Sequence, residues 1–190
     1  MENKSYIKNM AVVALKLLLI CSVIAGVVSF VYTVTLGAYQ ANLDREIRQS
    51  MATVFEIGEG EKLELTVYDG ALGDDIKDIY TVSVNGETVG YCVNVVGKGF
   101  GGNMDIMVGY HPDKTIRGVS IVSHAETPGV GSKVSNADHL SQYNGHSDGL
   151  TISKRPGADI TAISGATISS NAVHAAIERA SEALYALPAA

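Results

Sequence analysis

Cysteine is scarce in this sequence, and so is positive charge. The two cysteines, Cys21 and Cys92, form no CxxC pair and no Cys/His spacing typical of zinc or iron–sulfur sites. The formal net charge is −6, and because three lysines and one glutamate precede Asp44, the acidic excess lies in the rest of the chain. Nucleic-acid binding needs a basic face that neutralises phosphates, so we expect no nucleic-acid partner.

Several catalytic signatures are also missing. No Gly-x-Ser-x-Gly elbow makes Ser164 a hydrolase nucleophile, and no dinucleotide fingerprint is present. No pair at metal-ligand helical spacing occurs among His124, His139, His146 and His174. The sequence therefore predicts neither a metal site nor a hydrolase.

Charge is absent altogether from Leu17 to Leu43. A helix of about twenty residues spans about 30 Å, the thickness of the hydrocarbon layer. Tyr32 and Tyr39 lie where an outer aromatic belt is expected. A cleaved signal peptide would have a shorter apolar core followed by an Ala-x-Ala site, so we expect one uncleaved membrane span instead.

The lysines before this span favour a cytoplasmic N-terminus, although Arg45 and Arg48 follow it closely. The expected organisation is a cytoplasmic tail (1–16), a transmembrane helix (17–38), a connecting helix or stalk (39–60) and an extracytoplasmic domain (61–190). In the stalk, Leu43, Ile47, Met51 and Val54 recur at helical spacing.

The pattern after the stalk predicts an α+β domain in which helices pack on an antiparallel sheet. "LELTV" alternates as a strand does, and Asn85-Gly86 between two apolar runs is a strong hairpin signal. A second hairpin is predicted around "HPDK", and "GKGFGG" between the hairpins is predicted as a loop. The last twenty residues predict a helix with one apolar stripe, formed by Val173, Ile177, Ala180, Leu184 and Leu187.

Three short segments are candidates for chemistry. "GKGFGG" (97–102) is either a tight turn or a place where backbone approaches a ligand closely. "HAETPGVGSK" (124–133) is either a plain turn at Pro128-Gly129 or a ligand loop at a strand end. "AISGATISSNAV" (162–173) is either a set of helix caps or an anion site.

The third segment places small residues and hydroxyls at the start of the last helix. The first turn of a helix offers N–H donors and a partial positive charge, which favour phosphate. Gly165 and Ala166 remove bulk, so that Thr167 would put its hydroxyl beside a bound phosphate. A phosphoester to this threonine is therefore chemically reasonable.

"SGAT" followed by "ISS" resembles the flavinylation motif of the FMN-binding domain family, in which a flavin transferase moves FMN from FAD onto the motif's threonine. "GKGFGG" and "HAETPGVG" resemble two further segments of that family, in the same order along the chain. The resemblance extends from about Leu63 to the C-terminus. Thr161 stands where the family often has an acidic residue, and the nearest acid is Asp159.

The resemblance implies a cofactor and a set of residues that hold it. Thr167 would carry FMN through a phosphoester, with Ser164, Gly165 and Ala166 at its phosphate. Glu126 and Thr127 would lie near the isoalloxazine or ribityl chain, whereas Gly101 and Gly102 would let the backbone approach closely.

The overall plan is similar to that of the G subunits of Rnf-type complexes, which move electrons between ferredoxin and NAD while transporting ions. The implied partners are the flavin and iron–sulfur subunits of such a complex, a flavin transferase and membrane lipid. The alternatives are the C subunit of the sodium-pumping NADH:quinone reductase, another extracytoplasmic flavin carrier or flavoprotein, and an anchoring module without a cofactor.

Overall fold

The computed structural model describes residues 2–55, 62–155 and 157–187. The chain divides into two compact units, residues 1–45 and 46–190. The first helix, α1, covers Glu2–Phe55. Within it, Val12–Leu36 has a mean hydropathy of 2.5 and no buried residue in its most apolar stretch. Its length and composition suit a single-pass membrane anchor.

The second unit is built on a five-stranded antiparallel sheet whose strands follow one another in chain order. The strands are β1 (Leu63–Val67), β2 (Ile76–Val84), β3 (Glu87–Lys98), β4 (Asn103–Tyr110) and β5 (Ile116–His124). After the sheet come a 3₁₀ turn (Gly131–Ser135), α2 (Ala137–Leu140), a second 3₁₀ turn (Ser141–Tyr143), β6 (Ile152–Ser153), β7 (Ile160–Thr161) and α3 (Thr167–Tyr185). The predicted α+β class is confirmed.

The turns of the sheet follow from local chemistry. Asn85 and Gly86 have φ values of 53° and 88°, the left-handed pair that a two-residue hairpin needs between β2 and β3. The "HPDK" hairpin joins β4 to β5, as predicted. The predicted loop "GKGFGG" is shorter than expected, because Gly97 and Lys98 continue β3 and only 99–102 form the turn to β4. The sheet is therefore one continuous meander.

Alternating side chains of the sheet lie on opposite faces, and each face contributes to a separate hydrophobic core. One face carries Val93, Val95, Ile106 and Val108, and it packs against the predicted stripe of α3. On that stripe Val173, Ile177, Ala180 and Leu184 are buried. The helix α3 therefore lies across one face of the sheet.

The end of α1 covers the other face. Met51, Val54 and Phe55 are buried there against Val82, Cys92 and Met107, with Ile47 at the margin. Arg117 of β5 donates a hydrogen bond to the carbonyl of Phe55 at 3.0 Å, which satisfies a backbone acceptor at the helix end. The compact unit thus starts at Glu46, whereas the expected stalk extended to residue 60, whose last part (56–60) lies outside the described residues.

Candidate functional site

A pocket of about 350 Å³ lies where three separate segments meet. The β3–β4 turn, the segment after β5 and the start of α3 each contribute part of its wall. Its lining consists of Phe100, Glu126, Thr127, Val130, Gly131, Gly165, Ala166, Thr167, Ile168 and Ser169. All three candidate segments of the sequence therefore converge on one cavity, whose volume lies in the range of small-ligand sites.

Thr167 is the first residue of α3 and lines this pocket. The N-cap position is occupied by Ala166, and within the described part of the chain no side chain caps this helix end. The first N–H groups of a helix have no intrahelical acceptor, and the helix dipole adds partial positive charge there. The hydroxyl groups of "SGATISS" therefore do not cap α3. The free N–H groups at the start of this helix suit an anion.

The turn before α3 is held by its own backbone and by one serine. Ala166 N donates to Ile163 O at 3.1 Å, and Ile163 N donates to Ser170 Oγ at 3.1 Å. Gly165 has a φ of 85°, a conformation that L side chains rarely adopt. Together these bonds fix the direction in which the chain enters α3.

Glu126 lines the pocket and is almost completely buried, with 5% of its surface exposed. Its Oε2 accepts a hydrogen bond from Ser169 Oγ at 2.9 Å, and its Oε1 accepts one from Gly101 N at 3.2 Å. Because Ser169 belongs to α3 and Gly101 to the β3–β4 turn, one carboxylate connects two walls of the pocket.

Glycines make room for this carboxylate. A Cβ on Gly99 would overlap Glu126 Oε1, and a Cβ on Gly131 would overlap Glu126 Oε2. A Cβ on Gly101 would overlap the carbonyl oxygen of Ala125. The β3–β4 turn can therefore lie against Ala125 and Glu126 only because Gly99 and Gly101 carry no side chain.

The structure brings five of the eight predicted site residues to the pocket wall, namely Glu126, Thr127, Gly165, Ala166 and Thr167. Ser164 is exposed and does not line it. Gly101 and Gly102 also lie off the wall, and Gly101 serves the pocket indirectly through its bond to Glu126.

Five lining residues were missed at the sequence level: Phe100, Val130, Gly131, Ile168 and Ser169. A signal existed only for Phe100, the one large apolar side chain within "GKGFGG". Ser169 falls inside the motif, but its partner Glu126 lies 43 residues away along the chain. The local sequence contains no pattern that predicts this hydrogen bond between Ser169 and Glu126.

The acidic position near the motif has a structural partner. Asp159 accepts hydrogen bonds from the backbone N–H and the hydroxyl of Thr151, at 2.9 and 2.7 Å. The Thr151 hydroxyl lowers the pKa of the Asp159 carboxyl. Asp159 therefore stabilises the loop between β6 and β7, and it does not line the pocket.

The pocket suits a ligand with an anionic end and an apolar end. The uncapped helix start offers backbone donors, and Phe100, Val130 and Ile168 offer apolar surface. No group of three metal-ligating side chains occurs in residues 2–55, 62–155 and 157–187. FMN, which has a phosphate at one end and a flat ring system at the other, fits these features.

Comparison with known proteins also indicates a site for FMN. Residues 99–182 match the model of the FMN-binding domain family. The matched segment contains the β3–β4 turn, Glu126 and most of α3, that is, every wall of the pocket.

Two similar proteins are both G subunits of ion-translocating oxidoreductase complexes. The chain is 37% identical over 109 residues to the G subunit of the proton-translocating ferredoxin:NAD(+) oxidoreductase complex of Clostridium ljungdahlii, covering 56% of this chain and 59% of that one. It is 29% identical over 194 residues to the G subunit of the ion-translocating oxidoreductase complex of Shewanella piezotolerans, covering 94% and 89%. The first alignment thus spans less than two thirds of the relative's length.

A solved structure shares the fold. The crystal structure of Shewanella oneidensis NqrC superposes with a TM-score of 0.56 over 73% of this chain and 91% of that one, at 19% identity. At 19% identity, this superposition shows a common fold and does not show a common function.

Proposed function

We propose that this protein is the membrane-anchored, FMN-carrying electron-transfer subunit of a Rnf-type ion-translocating ferredoxin:NAD+ oxidoreductase. The observation that carries the proposal is Thr167, which opens α3 without a side-chain cap and faces a pocket inside an FMN-binding domain. The names of the relatives supply the complex.

The attachment we propose is a phosphoester between Thr167 Oγ1 and FMN, made by a flavin transferase from FAD. The Thr167 oxygen bonds to the phosphorus of the FMN half, the phosphoanhydride bond of FAD breaks, AMP leaves and the hydroxyl proton is lost. The half-exposed position of Thr167 at the pocket wall leaves its hydroxyl within reach of such an enzyme.

The residues around Thr167 then have defined roles. Backbone N–H groups of the first turn of α3 would bind the phosphate, and Gly165 and Ala166 would keep bulk away from it. Glu126 would hold the wall in place through Ser169 and Gly101. Bound FMN supplies the redox chemistry, while the protein sets its position and solvent access.

We further propose that the α+β domain lies on the extracytoplasmic side and that Val12–Leu36 crosses the membrane among lipids and partner subunits. The lysines before the span support this orientation. A covalent link keeps the cofactor from diffusing away on that side. The partners would be flavin and iron–sulfur subunits that deliver and accept the electrons.

The alternative role is the C subunit of a sodium-pumping NADH:quinone reductase or another extracytoplasmic flavin carrier. The fold shared with NqrC over 91% of its chain supports this alternative. Co-purification of the tagged chain from its host separates the two, because the first predicts a ferredoxin-oxidising complex and the second a quinone-reducing one.

The deciding experiment expresses the full chain with a flavin transferase and examines the denatured protein by ultraviolet fluorescence on a gel and by intact mass. We expect a fluorescent band and an added mass of one FMN less one water. Thr167→Ala should abolish both, because the acceptor oxygen is gone.

Two further variants make the result specific. Thr167→Ser keeps a hydroxyl at the same place and should retain part of the label. Thr88→Ala removes a threonine hydroxyl of β3, outside the pocket, and should label like the wild type. A dark wild-type band, or a label that survives in Thr167→Ala, would refute the proposed attachment.

A further inference from the structure

Three exposed apolar side chains line the pocket and belong to neither hydrophobic core. We define Phe100, Val130 and Ile168 as the apolar rim; their exposed fractions are 71%, 47% and 57%. Among the described residues from Glu46 onward, only six large hydrophobic side chains are exposed, and the other three are Val67, Tyr68 and Tyr185. Half of these six exposed side chains therefore line one pocket.

The three rim residues come from separate parts of the chain. Phe100 lies at the tip of the β3–β4 turn, Val130 precedes the first 3₁₀ turn, and Ile168 is the second residue of α3. Val130 Cγ1 would be 3.8 Å from a Cβ on Gly165, so it lies directly beside the motif turn. Convergence of exposed apolar groups on a cavity is typical of a ligand-binding groove.

Phe100 is held in its exposed position by the buried carboxylate. It stands between Gly99, whose N–H donates to Gly102 O at 2.9 Å, and Gly101, whose N–H donates to Glu126. The flanking glycines lie too close to Ala125 and Glu126 to bear side chains. The turn is therefore fixed at its base, and its only large side chain extends beside the pocket.

We propose that Phe100 is a positioning residue that stacks on the isoalloxazine of the flavin, with Val130 and Ile168 contacting the apolar part of the ring. This inference rests on the proposed attachment at Thr167. Ile168 follows Thr167 directly, so a flavin tethered there has its anionic end at the helix start and the apolar rim within the same cavity. An aromatic side chain and a flat ring stack favourably and shield each other from water.

The ring is a better occupant than a partner protein for a geometric reason. The rim lines a concave cavity of about 350 Å³, and the attachment residue Thr167 is part of the same wall. A tethered ligand is present at high effective concentration, so a modest apolar surface is enough to hold it.

The test uses full-length protein co-expressed with a flavin transferase, in the variants Phe100→Ala and Phe100→Tyr. Covalent loading is read by intact mass, and ring position by visible circular dichroism and by iodide quenching of flavin fluorescence. Compared at equal flavin content, Phe100→Ala should lose much of its visible dichroism and show about a twofold larger quenching constant, since stacking covers one of the two ring faces. Phe100→Tyr, which keeps an aromatic face, should resemble the wild type.

Val67→Ala is the control, because Val67 is an exposed apolar residue of β1 outside the pocket. It should change none of these readouts. If loaded Phe100→Ala matches the wild type in dichroism and quenching, the stacking role is wrong while the attachment stands. If the wild type carries no flavin mass, the proposed function fails, and the stacking role fails with it.

Discussion

At the scale of single residues, Glu126 is the clearest link between sequence and site. A buried carboxylate is costly unless each oxygen has a donor, and here Ser169 Oγ and Gly101 N supply them. The space around it exists only because Gly99 and Gly131 lack side chains. We therefore regard Glu126 as the residue that holds the pocket walls together.

Replacing Glu126 by alanine should destabilise the domain. The change leaves the Ser169 hydroxyl and the Gly101 N–H without their acceptor, and the loss of buried hydrogen-bond partners costs about 1–3 kcal/mol. Thermal unfolding of the full-length protein, followed by circular dichroism, measures the effect. Covalent flavin loading should fall as well, because the first turn of α3 loses its tie to Glu126.

Glu126→Gln separates charge from shape. A glutamine can accept from Gly101 N with its oxygen and donate to Ser169 Oγ with its amide, so it should retain most of the stability. A Glu126→Ala variant as stable and as readily loaded as the wild type would contradict the role of this side chain.

At the scale of elements, the end of α1 docks on a pair of glycines. Gly109 of β4 and Gly118 of β5 are partners in the sheet register, and Val54 lies over both. A Cβ on Gly109 would overlap Val54 Cγ1, whereas a Cβ on Gly118 would be 3.4 Å from the same atom, an ordinary contact. The helix end therefore depends on the absence of one side chain much more than the other.

This difference predicts opposite outcomes for two similar variants. Gly109→Ala should destabilise the protein by about 1–3 kcal/mol, because the β-branched Val54 cannot move aside without leaving the core. Gly118→Ala should change stability by less than about 1 kcal/mol, since it only fills an ordinary contact distance. Thermal unfolding of both variants gives the comparison.

A third variant identifies the cause. Val54→Ala combined with Gly109→Ala should recover part of the loss, since two residues in contact do not act additively. Equal effects of Gly109→Ala and Gly118→Ala would show that the helix end does not pack as described.

The sequence predicted the features that local rules control. Asn85-Gly86 specified its hairpin, and the apolar stripe of α3 indicated both the helix and its buried face. The three candidate segments could be named because each has an unusual composition. Their meeting at one pocket, and the tie from Glu126 to Ser169, depend on contacts between distant positions that no local pattern encodes.

The end of α1 shows a further limit of sequence reasoning. Met51 and Val54 followed helical spacing, as predicted, but spacing alone could not tell a stalk from a helix packed on a sheet. Gly101 and Gly102 were expected to let the backbone approach the cofactor closely, and the close approach that the structure shows at Gly101 is to the backbone of Ala125.

At the scale of the whole molecule, the boundary at Glu46 has a direct experimental consequence. A chain that starts at Glu46 keeps Met51, Val54 and Phe55, which cover Val82, Cys92 and Met107. A chain that starts at Leu63 keeps the whole sheet but loses this cover. A contiguous apolar patch would then be exposed, and such patches cause aggregation.

Cys92 reports the difference between these two truncations. It is the single cysteine of both, because Cys21 lies before Glu46. In the covered core Cys92 is fully buried, and burial raises the pKa of its thiol, so attack on a disulfide reagent through the thiolate is suppressed. We expect the chain from Glu46 to be soluble and monodisperse, with a thiol that reacts with Ellman's reagent only after denaturation. The chain from Leu63 should aggregate or react at once without denaturant. If both chains are soluble with an equally protected thiol, the last turns of α1 are dispensable, and the boundary belongs near residue 61, where the sequence pattern placed it.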